Sequence, residues 1–270
     1  MYLLFIGDVV GKPGMRAISS TLPRLRKIHT IDIVVANAEN IADGNGVTPL
    51  MANHLFSLGI DVLTNGNHAW DKEEALEYIK SEPRLLRPHN YPNSTPGSGW
   101  CVTTTADGRK LGILNILGSL FMPPELSCPF QSADNALTMI PPDVKHVFVD
   151  IHAESASEKI AMGWYLDGRV SAVVGTHTHV PTADERILPK GTGYLTDVGM
   201  TGCYESVVGM DTDKSLHRLM HKLPGDMEVA DGEAILYAVL LELNDETGCC
   251  DKIQHLRMHE ADASCHYLNH

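Results

Sequence analysis

The sequence has no pair of cysteines at CxxC spacing, no apolar run long enough to cross a bilayer and no excess of basic residues. Each absence removes a class of protein. The six cysteines (Cys101, Cys128, Cys203, Cys249, Cys250 and Cys265) are scattered. A thiolate zinc site needs them clustered, and disulfide staples are not expected in a chain this large without a secretion signal. The adjacent Cys249 and Cys250 are expected in an exposed hairpin turn. The longest apolar run, Ala234–Leu241, is bounded by Glu233 and Glu242, far short of the roughly 20 residues a spanning helix needs. Met1–Ile6 runs into Gly7-Asp8 without a basic leader and cleavage site, so a cytoplasmic location is expected. Lys and Arg total 21 against 34 Asp and Glu, a formal net charge of −13. That balance disfavours polymeric nucleic acid as a partner. A small anionic substrate stays compatible with it, because bound metal ions reverse charge locally.

What is present suits a folded globule: 43% of the 270 residues are hydrophobic and 20% charged. With no internal repeat and no linker, one domain over 1–270 is expected. Apolar runs of strand length occur at Tyr2–Ile6, Ile31–Ala36, Asp61–Thr64, Val147–Ile151 and Val170–Val174. Thr48-Pro49 reads as an N-cap and first helical residue before Leu50–Leu58, with Gly59 as the stop. Asp71 with Glu74, and Ser155 with Glu158, read as capping boxes opening helices to about Ile79 and Tyr165. Trp100–Thr105 with Lys110–Ile116, and Ala234–Leu243 with Lys252–Met258, read as antiparallel hairpins. The expected fold class is α/β: a two-layer mixed β-sandwich flanked by helices. His255, His259, His266 and His270 are expected in a surface tail.

The chemistry gathers where the apolar runs end. Asp8, Glu39, Asn40, Asn67, His68, His152, His177 and His179 each follow such a run within a few residues. Beyond the carboxyl ends of strands, open α/β folds bind their ligands. Carboxylate, amide oxygen and imidazole together suit first-row transition metals. Taken singly the pieces are weak. Asn37–Asn40 reads equally as a polar loop or a helix cap, and His152 as a hydrogen-bonded core histidine. His177 and His179, at i and i+2 on extended backbone, are expected to point the same way. The conjunction, in this order, outweighs the parts.

Gly7-Asp8, Glu39-Asn40, Gly66-Asn67-His68, His152 and Gly175–His179 together resemble the calcineurin-like metallophosphoesterase pattern. Two departures are informative. Val9-Val10 follow Asp8, so the usual first-block histidine is absent, and Glu39 stands in place of the usual aspartate. These departures, with Leu4–Gly11, Gly66–Lys72, Arg87–Pro92, His152–Lys159, Val174–Val180 and Asp197–Gly202, resemble the bacterial YmdB-like branch of phosphodiesterases. The likeness covers most of residues 1–211 and weakens after Met210. It implies two transition-metal ions, iron first and manganese as substitute. One would be held by Asp8, Glu39, Asn40 and His179, the other by Glu39, Asn67, His152 and His177. It further implies hydrolysis of cyclic nucleotides, 2′,3′-cyclic first and 3′,5′-cAMP second, by a metal-bridging hydroxide. His68 would be the proton donor, or else orient solvent or substrate.

Two other readings stand beside this one: a phosphomonoesterase or nucleotidase of the same superfamily, and a metal-stabilised regulatory protein without turnover. Arg87 and His89 either touch substrate or belong to a loop fixed by Pro88 and Pro92. Lys159 and Arg169 are expected in structural ion pairs. A homo-oligomer is expected, partly from the resemblance and partly from Leu120-Phe121-Met122 in an apparent loop.

Overall fold

A computed structural model of the chain describes residues 1–222, 227–261 and 266–267. Cys265 and His270 lie outside the described residues. The elements run β1 (Tyr2–Ile6), α1 (Gly11–Ile28), β2 (Ile33–Asn37), α2 (Pro49–Ser57), β3 (Val62–Thr64), α3 (Glu73–Tyr78), β4 (Trp100–Thr104), β5 (Lys110–Leu117) and α4 (Pro129–Met139). They continue β6 (His146–His152), α5 (Ala156–Leu166), β7 (Ala172–Thr176), β8 (Arg186–Ile187), β9 (Gly193–Leu195), β10 (Gly202–Cys203), α6 (Thr212–His221), β11 (Ala234–Leu243), β12 (Cys250–His259) and β13 (His266–Tyr267).

Two mixed sheets result. The first has the order β13-β12-β11-β1-β2-β3, with β10 also on β11; the second has the order β4-β5-β6-β7-β9-β8. Strands β1, β2 and β3 are parallel, as are β5, β6, β7 and β9. Their sequences are apolar without alternation because both faces of each strand are covered. Leu3, Phe5, Ile33 and Val35 face the other sheet and pack on Ile113, Phe148, Ala172 and Val174. Phe5 and Phe148 meet at 4.8 Å between ring centroids. The alternate residues Leu4, Ile6, Val34 and Ala36 pack outward on Ile18, Leu22 and Leu55 of α1 and α2. On the far side, Val147, Val149 and Ile151 pack on Ala133, Ala136, Met162 and Leu166 of α4 and α5. The sequence of layers is helix, sheet, sheet, helix, as expected. Among the described residues, no helix is long and apolar enough to cross a membrane.

Thr48 caps α2 as expected, accepting from the Met51 amide at 3.3 Å. Both expected capping boxes fail for a common reason: the side chains have stronger work elsewhere. Lys72, not Asp71, is the N-cap of α3, and Asp71 turns back to His68. Ser155 precedes α5 but caps nothing with its side chain. Glu158 instead accepts from the amides of Ser119 and Leu120 at 3.0 to 3.2 Å, fixing the loop after β5. Cys250 is buried as the first residue of β12 rather than exposed in a turn. His255 is also buried, its Nε2 donating to the Val198 carbonyl at 2.9 Å, so it does not belong to a surface tail.

Candidate metal centre

The C-terminal ends of β1, β2, β3, β6 and β7 meet at one place, and the polar residues that follow them converge there. Two glycines permit the approach. A Cβ on Gly66 would lie 2.1 Å from the His152 ring and 2.5 Å from Glu39 Oε2. A Cβ on Gly7 would lie 1.9 Å from the Gly199 carbonyl oxygen. No other residue fits either position.

His152 Nε2 is the centre of one group. It lies 2.8 Å from Glu39 Oε1, 3.2 Å from Asn67 Oδ1 and 3.0 Å from His177 Nδ1. Glu39, His152 and His177 each place a ligand atom within 4.8 Å of the others. A second group lies beside it. His179 Nε2 is 3.3 Å from Asn40 Oδ1 and 4.0 Å from Asp8 Oδ1. Asp8 and His152 are 3.8 Å apart across the two groups.

Partners behind these groups set which atoms face inward. His179 Nδ1 donates to the Val208 carbonyl at 2.8 Å, leaving Nε2 as a lone pair. The Asn40 amide donates to the Gly44 carbonyl at 2.8 Å, which aims its Oδ1 at that same lone pair. With the ring neutral, two acceptors then face each other at hydrogen-bond distance, an arrangement that a cation beside them satisfies. Behind His152, Thr176 Oγ1 donates to Asp150 at 2.7 Å and so accepts from His152 Nδ1 at 2.9 Å, turning Nε2 toward the centre. Buried Asp150 also accepts from Thr64 at 2.5 Å and Asn37 at 3.3 Å, tying the ends of β2, β3 and β7 beneath the site. Burial raises its carboxyl to about 6.

The electrostatics carry the same message. Burial disfavours the charged His152 ring, but Glu39 first, then Asp8 and Asp150, outweigh it and hold the imidazolium to about 9. Burial opposes the Glu39 carboxylate, yet His152 holds it down to about 2. His177 falls to about 3 through burial and the His152 charge. Burial raises Asp8, and its Oδ1 has no hydrogen-bond partner among the described residues. One charged imidazole thus serves several buried carboxylates and leaves an orphaned oxygen. The residues fit a bound cation, with a donor set of oxygen and imidazole nitrogen.

His177 and His179 do not follow an extended strand. β7 stops at Thr176, and both histidines take positive φ, 100° and 65°. Such angles strain a side-chain-bearing residue and persist only where surroundings enforce them. Here Asp197 accepts from the amide of Thr178 at 3.2 Å and its hydroxyl at 2.7 Å, and is itself paired with Lys159 at 2.7 Å. The turn sends the two rings apart, His177 to His152 and His179 to Asn40, rather than the same way.

His68 sits at the rim, about a third exposed. Its amide donates to Glu39 Oε2 at 3.0 Å, and its Nδ1 lies 2.7 Å from Asp71 Oδ2. Asp71 was legible only as a helix cap, although its spacing of three from His68 in a turn was available as a signal. Glu154, 3.0 Å from His177 Nε2, gave no signal of its own. Arg87 is buried and gives its guanidinium to the carbonyls of Pro88, Thr95 and Pro96, so it organises its loop. Lys159 and Arg169 form ion pairs, with Asp197 and Asp134 respectively.

Residues 4–256 match the family model described as YmdB-like protein. The chain belongs to that family. It therefore lies in the YmdB-like branch of the calcineurin-like metallophosphoesterases, and the likeness runs well beyond residue 211. It is 44% identical over 260 residues to the 2′,3′-cyclic-nucleotide 2′-phosphodiesterase of Bacillus subtilis, covering 96% of this chain and 98% of that one. A crystal structure of a hypothetical protein from Thermus thermophilus superposes with a TM-score of 0.90 at 42% identity, covering 96% and 99%. A structure from Mycoplasma pneumoniae described as a novel phosphatase also gives 0.90, at 34% identity, covering 96% and 93%.

Proposed function

We propose that this YmdB-like chain is a binuclear metal-dependent phosphodiesterase of cyclic nucleotides, with 2′,3′-cyclic nucleotides as the first substrate class. Membership in the family and the near full-length likeness to the Bacillus subtilis enzyme support hydrolysis of phosphate esters. The observation that carries the reading is the convergence of carboxylate, amide and imidazole acceptors at 2.8 to 3.3 Å beside a histidine held by a carboxylate. Asp8, Glu39, Asn40 and His179 would hold one ion. Glu39, Asn67, His152 and His177 would hold the other, with Glu39 shared. Iron is the first candidate and manganese the substitute. Such a pair, when bound, supplies Lewis-acid charge for phosphate oxygens and makes a nucleophile of water at neutral pH.

The remaining steps belong to side chains of this protein. Thr176 and the Val208 carbonyl accept from Nδ1–H of His152 and His179, so the neutral tautomer of each ring would present Nε2 as the lone pair to a metal ion, which would replace the proton that His152 carries without one. Asp71 accepts a hydrogen bond from Nδ1–H of His68, and the imidazolium form of that ring would deliver its Nε2 proton to the departing ribose oxygen and end as a neutral ring. A sugar alkoxide leaves poorly without that proton. Breaking the bond to the 2′ oxygen leaves a 3′-monophosphate. A monoester brings an additional negative charge, and Arg87, turned onto carbonyls, offers it nothing. That favours diesters.

The same proposal takes residues 1–270 as one domain, since β1 pairs with β11 along its whole length. It includes a cytoplasmic location, no polymeric nucleic acid partner and assembly of identical chains. Phe121, 85% exposed, and Leu120, 47% exposed, support the last point. The test is turnover of 2′,3′-cyclic AMP, bis(p-nitrophenyl) phosphate and p-nitrophenyl phosphate, with elemental analysis of the same preparation. Diester-selective turnover with about two ions per chain is expected from the shared-ligand arrangement. Faster monoester turnover, or activity with a single ion, overturns the reading.

A further inference from the structure

One cavity at the edge of the second sheet holds no part of the metal centre. It measures about 280 Å³ and is lined by His89, Asn90, Tyr91, Gln131 and Asn135, among others. Its walls are the loop after Arg87-Pro88 and the exposed face of α4.

Its distance from the centre follows from the strand register. Asn90 clips the end of β5: its Oδ1 accepts from the Leu117 amide at 3.0 Å and its Nδ2 donates to the Leu117 carbonyl at 2.8 Å. Leu117 is the register partner of His152, and the Gly118 amide donates to the His152 carbonyl at 2.9 Å. Asn90 thus lies two strand spacings from the His152 backbone, about 10 Å. From the other side, the Tyr91 ring meets Trp70 edge-on at 5.8 Å, and Trp70 belongs to the turn that carries Asn67 and His68. Burial raises the Tyr91 phenol and the charge of Glu39 adds to the shift, so the two are in electrostatic reach. A phosphate held at the metal centre would place the rest of a nucleoside within reach of this cavity.

The lining selects the ligand. It consists of amides, hydroxyls, an imidazole, a phenol and a proline, with no Lys, Arg, Asp or Glu. A phosphate finds no cationic side chain in it. Gln131 and Asn135 stand one turn apart on α4 and share a face. Asn135 Oδ1 accepts from His89 Nε2 at 3.2 Å, which leaves the Asn135 amide donor. Gln131 has no hydrogen-bond partner among the described residues and offers both acceptor and donor. A side-chain amide matches the amino group and ring nitrogen of adenine in two parallel bonds. Tyr91 adds an aromatic surface of the kind on which bases rest.

We propose that this cavity is the nucleobase subsite, and that Gln131 reads adenine there through its paired acceptor and donor. The proposal rests on the reading above that the substrate is a cyclic nucleotide. The test compares wild type, Gln131→Ala and Asn135→Ala on 2′,3′-cyclic AMP, 2′,3′-cyclic UMP and bis(p-nitrophenyl) phosphate, which carries no base. In Gln131→Ala, kcat/KM for cyclic AMP relative to the base-free diester should fall about tenfold, through KM, as the loss of one bidentate contact implies. The preference for adenine over uracil should fall with it, and Asn135→Ala should show a smaller loss of the same kind. Unchanged ratios in both variants overturn the proposal.

A calorimetric arm titrates adenosine 3′-monophosphate and inorganic phosphate into the manganese-loaded protein. The nucleotide should bind more tightly than phosphate to wild type, and Gln131→Ala should lose most of that advantage. If wild type cleaves the base-free diester but no cyclic nucleotide, the functional reading has failed and the calorimetry decides the subsite alone. An adenine-dependent advantage that Gln131→Ala removes keeps the subsite; equal binding of nucleotide and phosphate overturns it.

Discussion

Replacing Lys159 by methionine removes an ammonium group from one of the most enclosed positions in the protein while keeping most of the side chain's bulk. Lys159 and Asp197 are each 1% exposed, and their charged atoms lie 2.7 Å apart. Taking away one partner of such a pair leaves a buried carboxylate without its counter-charge, which costs roughly 3–5 kcal/mol. Asp197 would keep its bonds from the Thr178 amide, the Thr178 hydroxyl and the Gly199 amide. Those donors place the expected loss at the low end, about 3 kcal/mol, or roughly 6–12 °C in Tm for a chain of this size. Urea unfolding of wild type, Lys159→Met and Lys159→Met/Asp197→Asn measures it. The double variant should recover part of the loss, because an amide needs no counter-charge. Thr178 lies between His177 and His179, so metal content should fall together with stability. A Lys159→Met protein within about 1 kcal/mol of wild type, or a double variant less stable than the single one, refutes the assignment of the pair as the brace of this turn.

Glu39→Gln should lose more metal than Asn40→Ala by elemental analysis, because it removes an anionic charge assigned to both ions; equal losses would count against a shared Glu39. His68→Ala should retain metal yet slow 2′,3′-cyclic nucleotide hydrolysis by about 10²–10⁴-fold. The same variant should slow bis(p-nitrophenyl) phosphate only slightly, since a phenolate leaves unaided, and an equal slowing of both substrates would remove His68 as proton donor. Light scattering at micromolar concentration should give a multiple of the 29.5 kDa chain mass, and a single chain mass would end the oligomer proposal.

The strands that carry the site were legible because each is a mostly apolar run ending in polar residues. Burial on both faces writes that pattern, and all five expected runs correspond to β1, β2, β3, β6 and β7. Helices α1 and α4 left weaker marks. α1 has Pro13 near its start and Pro23 inside it, no acidic residue in its first turn and no side-chain cap. α4 begins after Cys128, which caps nothing. The candidate ligands were legible as types at strand ends, but the groups behind them were not. Asp71 and Glu158 carry the local signature of helix caps and are drawn away, Asp71 to His68 in the preceding turn and Glu158 to the distant Ser119 and Leu120 amides. The opposed directions of His177 and His179 depend on positive φ at two non-glycine residues, a conformation that spacing alone does not encode.

The candidate ligands divide between the two sheets. Asp8, Glu39, Asn40 and Asn67 extend from β1, β2 and β3, while His152, His177 and His179 extend from β6 and β7. Neither sheet owns a complete set, so the distance between their edges is itself a coordination parameter. That distance is fixed deep inside, where Phe5 rests on Phe148 and Val35 and Val174 share one apolar cluster. An interior side chain one methylene too large would act as a wedge, opening the gap between carboxylate and imidazole without touching either. The hydrophobic interior is the calliper of the candidate metal centre, and substitutions there are expected to register as altered metal affinity as well as altered stability.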